Sequence, residues 1–199
     1  MFLLFSLFSQ GNKENKKVLH TIETNFSIAP AKPKEYVGVE KLLGFNYVLH
    51  YNLKDKLMIG GGIGYENNLS QKNNRTNSYI PFFADLRYDL LDKKTTPFIG
   101  IKAGYLLGLT KIPEEFIFQE NLSSTPAFRD NDFSLINSGG ILIKSTFGVK
   151  FKTNKSALSL GIGYRLQKLY LKYNSQKSKN QKLQERIYNM ATINFGVTF

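Results

Sequence analysis

The sequence predicts an all-β chain of eight antiparallel strands closed into an up-and-down barrel. Three observations carry that reading. Eight stretches alternate apolar and polar residues with period two, the repeat of a strand with two unlike faces. Their connections are mostly tight or long in turn. Charged residues inside the stretches fall on the face opposite the apolar one.

The last stretch, Glu185–Phe199, shows the pattern most plainly. Ile187, Asn189, Ala191, Ile193, Phe195, Val197 and Phe199 share one face, apolar but for Asn189. Tyr188, Met190, Thr192, Asn194, Gly196 and Thr198, mostly polar or small, share the other.

From the beginning, the first strand is expected over Val18–Ala29, with His20, Ile22, Thr24, Phe26 and Ile28 opposite Thr21, Glu23, Asn25 and Ser27; Pro30 and Pro33 then break pairing. The second spans Tyr36–Asn52, with Leu43, Phe45, Tyr47, Leu49 and Tyr51 opposite Glu40, Gly44, Asn46 and His50. A tight turn follows at Asn52–Asp55. The third, Lys56–Glu66, sets Leu57, Ile59, Ile63 and Tyr65 against Met58, Gly60, Gly62 and Gly64, and the polar linker Asn67–Asn77 follows. The fourth, Ser78–Leu91, sets Ile80, Phe82, Ala84, Leu86 and Tyr88 against Pro81, Phe83, Asp85, Arg87 and Asp89, and turns at Asp92–Thr96. The fifth, Pro97–Leu109, sets Ile99, Ile101, Ala103, Tyr105 and Leu107 against Gly100, Lys102 and Gly104; the longest connection, Thr110–Leu135, comes next. The sixth, Ile136–Lys152, sets Ile141, Ile143, Phe147, Val149 and Phe151 against Lys144, Thr146, Gly148 and Lys150, with a turn at Thr153–Lys155. The seventh, Ser156–Tyr173, sets Leu158, Leu160, Ile162, Tyr164 and Leu166 against Ser159, Gly161, Gly163, Arg165 and Gln167. The basic loop Asn174–Gln184 leads to the eighth.

Composition narrows the class. With 199 residues the chain is one domain; with no Cys it has no disulfide frame, thiol nucleophile or zinc finger. No apolar run reaches the 18 residues of a membrane helix. Mean hydropathy is −0.27, low for a membrane protein of helices but not for a barrel, where only alternate residues meet lipid. MFLLFSLFSQ reads as the apolar part of a secretory signal, residues 1–9 being its remnant, with cleavage expected between Ser9 and Gln10. Residues 10–17 form a polar leader, and the barrel occupies 18–199.

Charge placement decides between two kinds of barrel. Glu23, Glu40, Asp85, Arg87, Lys102, Lys144 and Arg165 all sit mid-strand opposite the apolar face. A soluble, lipocalin-like barrel puts its apolar face inside; a membrane barrel puts it outside and must pair its charges across the lumen, because an unpaired buried charge costs several kcal/mol. The signal-like start, the loop asymmetry and the terminal Phe favour the second. The expected fold is therefore an eight-stranded antiparallel up-and-down transmembrane β-barrel. The inward glycines Gly60, Gly62, Gly64, Gly100, Gly104, Gly148, Gly161 and Gly163 are expected to leave room for Arg87, Lys102, Lys144 and Arg165.

Eight alternating strands, GIGY segments at Gly61–Tyr65 and Gly161–Tyr164, and Phe199 at the end of an amphipathic strand together resemble the small outer-membrane barrels of the OmpX/OmpA-barrel type, and more narrowly the PorT-like outer-membrane β-barrel families. The resemblance covers nearly all of the barrel segment and is one of pattern. It implies an integral outer-membrane location with both termini periplasmic. It also implies Phe199 as the signal read by the barrel-assembly machinery, and contact with outer-membrane lipid and lipopolysaccharide.

The charge of +12 points to an anionic partner. Lys72, Arg75, Lys177, Lys179, Lys182 and Arg186 lie in or beside loops where they could meet lipopolysaccharide phosphates. The same residues also read as a solvated loop rim. Phe116, Ile117, Phe118, Phe128 and Phe133 crowd the long connection and form a candidate surface for an envelope protein partner, or a loop packed on itself. No nucleic-acid module is readable, and no nucleic-acid partner is expected. Gly60–Gly64 precedes no helix, so it lacks a phosphate-binding terminus. His20 and His50, the only histidines, are not spaced as metal ligands, and neither stands in the His-x-Ser pair of lipid A deacylase barrels. Catalytic, cofactor and metal residues are all read as none. The expected role is a non-enzymatic structural, adhesive or scaffold barrel displaying extracellular loops. The alternatives are an outer-membrane lipid-modifying enzyme and a soluble ligand-binding barrel.

Overall fold

A computed structural model describes residues 18–29, 41–54, 56–69, 78–109, 111–112, 133–175 and 182–199. Its elements are β1 (Val18–Ile28), β2 (Lys41–Lys54), β3 (Leu57–Asn68), β4 (Ser78–Asp89), β5 (Thr95–Gly108), a short β6 (Lys111–Ile112), β7 (Phe133–Lys152), β8 (Ala157–Ser175) and β9 (Lys182–Thr198). Each long strand pairs antiparallel with the next, β5 pairs with β7, and β9 returns to pair with β1. Eight strands thus close on themselves, with β6 as a two-residue annex on β7. No helix occurs among the described residues.

The strands run longer than the alternation alone marks at one end. β7 starts at Phe133 and β8 ends at Ser175, and β9 starts at Lys182. By contrast β5 last pairs with β7 at Leu106↔Gly140, and β1 last pairs with β9 at Ile28↔Ala191. So β7, β8 and β9 rise past the ring on one side, and β6 pairs there at Lys111↔Ile136 and Ile112↔Leu135. The register shifts between Asn137 and Gly140, and Gly139 takes φ 94°, a left-handed conformation that favours glycine. The Tyr36–Glu40 start expected for the second strand lies outside the described residues; β2 begins at Lys41.

The two ends of the barrel differ. At the turn end, β2–β3, β4–β5 and β7–β8 join through short connections. Thr96 is buried there; its Oγ1 donates to the Leu91 carbonyl at 2.7 Å and accepts from the Leu91 amide at 3.0 Å. Thr96→Val removes both bonds and is expected to lower unfolding stability by about 1 kcal/mol, read from a urea titration. The opposite, loop end carries the remaining connections.

Among the described residues, side chains alternate in and out along the eight long strands. Outside stand Phe45, Ile63, Phe82, Ile101, Phe147, Ile162 and Ile193, all exposed. Inside, the ladder between β3 and β4 lapses at Gly64–Tyr65 opposite Ile80–Pro81, where proline has no N–H to give. The inward glycines make room mainly for aromatic, amide and backbone groups rather than for the long cations. An added Cβ would lie 2.6 Å from the Phe83 ring at Gly62 and 2.1 Å from Asn46 Oδ1 at Gly64. At Gly100 it would lie a comfortable 3.5 Å from Arg87.

Candidate functional site

The lumen is filled in layers. Nearest the turn end, β1, β2 and β9 bring three polar side chains together. Thr21 Oγ1 lies 2.9 Å from Thr198 Oγ1 and 3.1 Å from His50 Nδ1, and His50 Nε2 lies 3.0 Å from Asp85 Oδ2. Beside them Asp89 accepts from Lys150 at 2.6 Å and pairs with Lys152 at 3.1 Å.

The next layer is a charge cluster. Glu23 of β1 pairs with Arg87 of β4 and Lys102 of β5. Arg87 also donates to Asp85 Oδ2 through Nε at 3.0 Å and Nη2 at 2.8 Å. Lys102 lies 3.6 Å from Asp85, with its ammonium 4.6 Å from the centre of the Phe83 ring. Lys144 of β7 donates to Asn194 Oδ1 of β9. Strand pairing explains why these side chains meet: Asp85 is opposite Lys102, and Lys102 is opposite Lys144.

Above it, Arg165 of β8 makes a two-pronged pair with Glu66 of β3, at 2.7 and 2.6 Å. Arg165 also donates to Gln167 Oε1, and Asn25 donates to Glu66. Arg165 is fully buried. Among the described residues, each buried carboxylate is paired with at least one buried cation: Glu23 and Asp85 with Arg87 and Lys102, Glu66 with Arg165, and Asp89 with Lys150.

The last layer, at the loop end, is apolar. Leu42, Tyr79, Leu106, Leu142, Leu169 and Met190 pack into one buried cluster, with Ala29 and Tyr188 against it. These residues share the inward register with the charges. Alternation puts Met190 on an inward face but assigns Leu42, Tyr79, Leu106, Leu142 and Leu169 to none, so it misses this plug. The available signal was position: Leu42, Tyr79, Leu106 and Leu169 stand toward the loop ends of their strands, while Leu142 and Met190 stand mid-strand in β7 and β9, which rise past the ring.

The structure therefore gathers Glu23, Asp85, Arg87, Lys102, Lys144 and Arg165 into one lumen. Glu40, Lys72, Arg75, Phe116, Ile117, Phe118, Phe128, Lys177 and Lys179 lie outside the described residues, as do the side chains of Phe133, Lys182 and Arg186. Phe199 bonds His20 through both backbone groups at 2.9 Å, and its ring stacks on the His20 ring with centroids 6.4 Å apart. The Thr21–His50–Asp85 chain was not legible from spacing. It joins a hydroxyl, an imidazole and a carboxylate, and Thr21, His50 and Asp85 are all buried. Asp85 is held by Arg87 and Lys102 besides. The arrangement is that of a structural hydrogen-bond chain. Among the described residues no three potential metal ligands cluster.

No protein-family profile matches the chain, and no curated protein sequence matches it. Solved structures do. Neisserial surface protein A aligns over 91% of this chain and 94% of its own, with TM-score 0.53 and 12% identity. The outer-membrane protein AlkL, solved in lipid bilayers, aligns over 96% of this chain and 93% of its own, with TM-score 0.52 and 9% identity. At such identity the likeness concerns the fold: a closed eight-stranded antiparallel barrel of the kind found in small outer-membrane proteins.

Proposed function

We propose that the chain is an integral outer-membrane barrel, non-enzymatic, that holds its loops outward as an adhesive or scaffold element of the cell envelope. The observation that carries this reading is the inversion of its faces. Ion pairs fill the inside while Phe, Ile, Leu and Tyr cover the outside. A soluble ligand-binding barrel needs the reverse. Every barrel strand has at least 11 residues, enough for the roughly 9–11 that cross a bilayer.

The filled lumen argues against an aqueous channel, since eight strands enclose only enough space for side chains. Short turns face the periplasm in this reading, with both termini, and the longer connections face outward. Lys72, Arg75, Lys177, Lys179, Lys182 and Arg186 are then placed to meet lipopolysaccharide phosphates. Phe116, Ile117, Phe118, Phe128 and Phe133 supply the surface for an envelope partner, and Phe199 is what the assembly machinery reads. The buried charge pairs serve as the mortar of the barrel wall.

Fractionation tests it. The chain is expected in the detergent-extracted outer-membrane fraction, with a gel band that shifts only after boiling. A periplasmic protein whose mobility ignores boiling would overturn the proposal and turn attention to soluble ligands.

A further inference from the structure

One buried cation stands apart from the ion pairs. Five cations, Arg87, Lys102, Lys144, Lys150 and Arg165, are buried among the described residues, against four acids, Glu23, Glu66, Asp85 and Asp89. All four acids are already paired with the other cations. Lys144 is 3% exposed and among the described residues has one polar partner, the neutral Asn194. Its ammonium has three N–H groups, so two are left over.

An opposite lack occurs nearby. Asp85 Oδ1 is buried and accepts no hydrogen bond. Lys144 and Asp85 line the same cavity, together with Glu23, Thr146, Ser159 and Gly100. Its volume is about 10 Å³. That is room for one water-sized group and too little for a phosphate, sulfate or carboxylate. Lys144 has N–H groups to spare, Asp85 Oδ1 lacks a donor, and both residues line one water-sized space.

We propose that this cavity is a binding site for a single structural water, which accepts from Lys144 and donates to the carboxylate wall of Asp85 and Glu23. The water ties the odd cation into the charge network without direct contact. A halide would also answer Lys144, but it would leave Asp85 Oδ1 without a donor and set one more negative charge beside two carboxylates. The site depends only on the lumen, so it stands or falls separately from the membrane location.

Gly100 provides the test. A Cβ built there would lie 3.5 Å from Arg87 Cγ and 3.6 Å from the Leu86 carbonyl oxygen, both ordinary contacts. Gly100→Ala therefore fits and places its methyl in the cavity. In a dry cavity this exchange raises stability, as alanine does for a strand glycine. With a water bound, it lowers the urea midpoint, and the loss shrinks in a Lys144→Met background. A raised midpoint for Gly100→Ala alone would overturn the proposal. On the unsubstituted barrel, replacing chloride by glutamate at fixed ionic strength is expected to leave the midpoint unchanged; a shift would mean a halide and overturn it too. Should Gly100→Ala fail to fold, magnetisation transfer from a long-lived water to the Thr146 and Ser159 side chains decides: its presence supports the site, and its absence removes it.

Discussion

Replacing Glu66 by alanine is expected to lower the unfolding stability of the barrel by about 3–5 kcal/mol. The size follows from what is left behind. Arg165 is wholly inside the lumen and gives two of its N–H groups to the two Glu66 oxygens. Without Glu66 that guanidinium keeps, among the described residues, only Gln167 as a neutral acceptor, and Asn25 loses Glu66 as its acceptor as well. An uncompensated buried charge costs far more than a lost surface pair. Removing both partners should behave differently. The Glu66→Leu, Arg165→Met double variant is expected to recover most of the loss, because a well-packed apolar pair needs no counter-charge. Urea unfolding in lipid vesicles, followed by far-UV circular dichroism, measures all three chains. A single variant within about 0.5 kcal/mol of the parent would show that the pair contributes nothing.

The second large effect concerns the outside. Ile162→Arg should destabilise the barrel by about 2–4 kcal/mol in a bilayer. Ile162 is 65% exposed, and pairing sets it between Phe147 and Ile193, both apolar and exposed. In water an arginine here would be harmless. In hydrocarbon it must be dragged to the interface or hydrated by thinning the bilayer. Asn154→Arg in the exposed β7–β8 turn is the control, expected within about 0.5 kcal/mol of the parent. Equal stability of the two variants in vesicles would mean that the face around Ile162 does not meet lipid.

Most of the architecture was legible because period two is a robust signal. Ile187 to Phe199 shows it in one line, and the charges at Glu23, Asp85, Arg87, Lys102, Lys144 and Arg165 pointed inward as alternation requires. What alternation cannot give is height. Leu42, Leu106 and Met190 share a register with charged residues yet sit in an apolar layer of their own, and only the stacking of strands reveals it. Partners across the lumen were equally hidden. Glu66 meets Arg165 over 99 residues of sequence, a pairing set by barrel closure rather than by spacing. The Thr21–His50–Asp85 chain needed three strands to be aligned before it existed at all. Strand ends were the least legible, since β7, β8 and β9 continue past the point where their apolar alternation fades.

The seam between β1 and β9 governs how such a chain can fold. Thr21 touches Thr198 across 177 residues, and eight residue pairs, Thr21↔Thr198 to Ile28↔Ala191, join the two strands, with His20 and Phe199 bonded just beyond them. Synthesis makes β1 among the first strands and β9 last. Until then β1 has an open edge, and the cylinder has no inside in which its ionic groups can find one another. Closing so distant a contact costs chain entropy before any contact repays it, which makes folding slow. An unclosed sheet with bare edges and a greasy face readily joins its neighbours instead. The price of a wall without free edges is thus a long wait for its final strand, during which the chain depends on being kept apart from others of its kind.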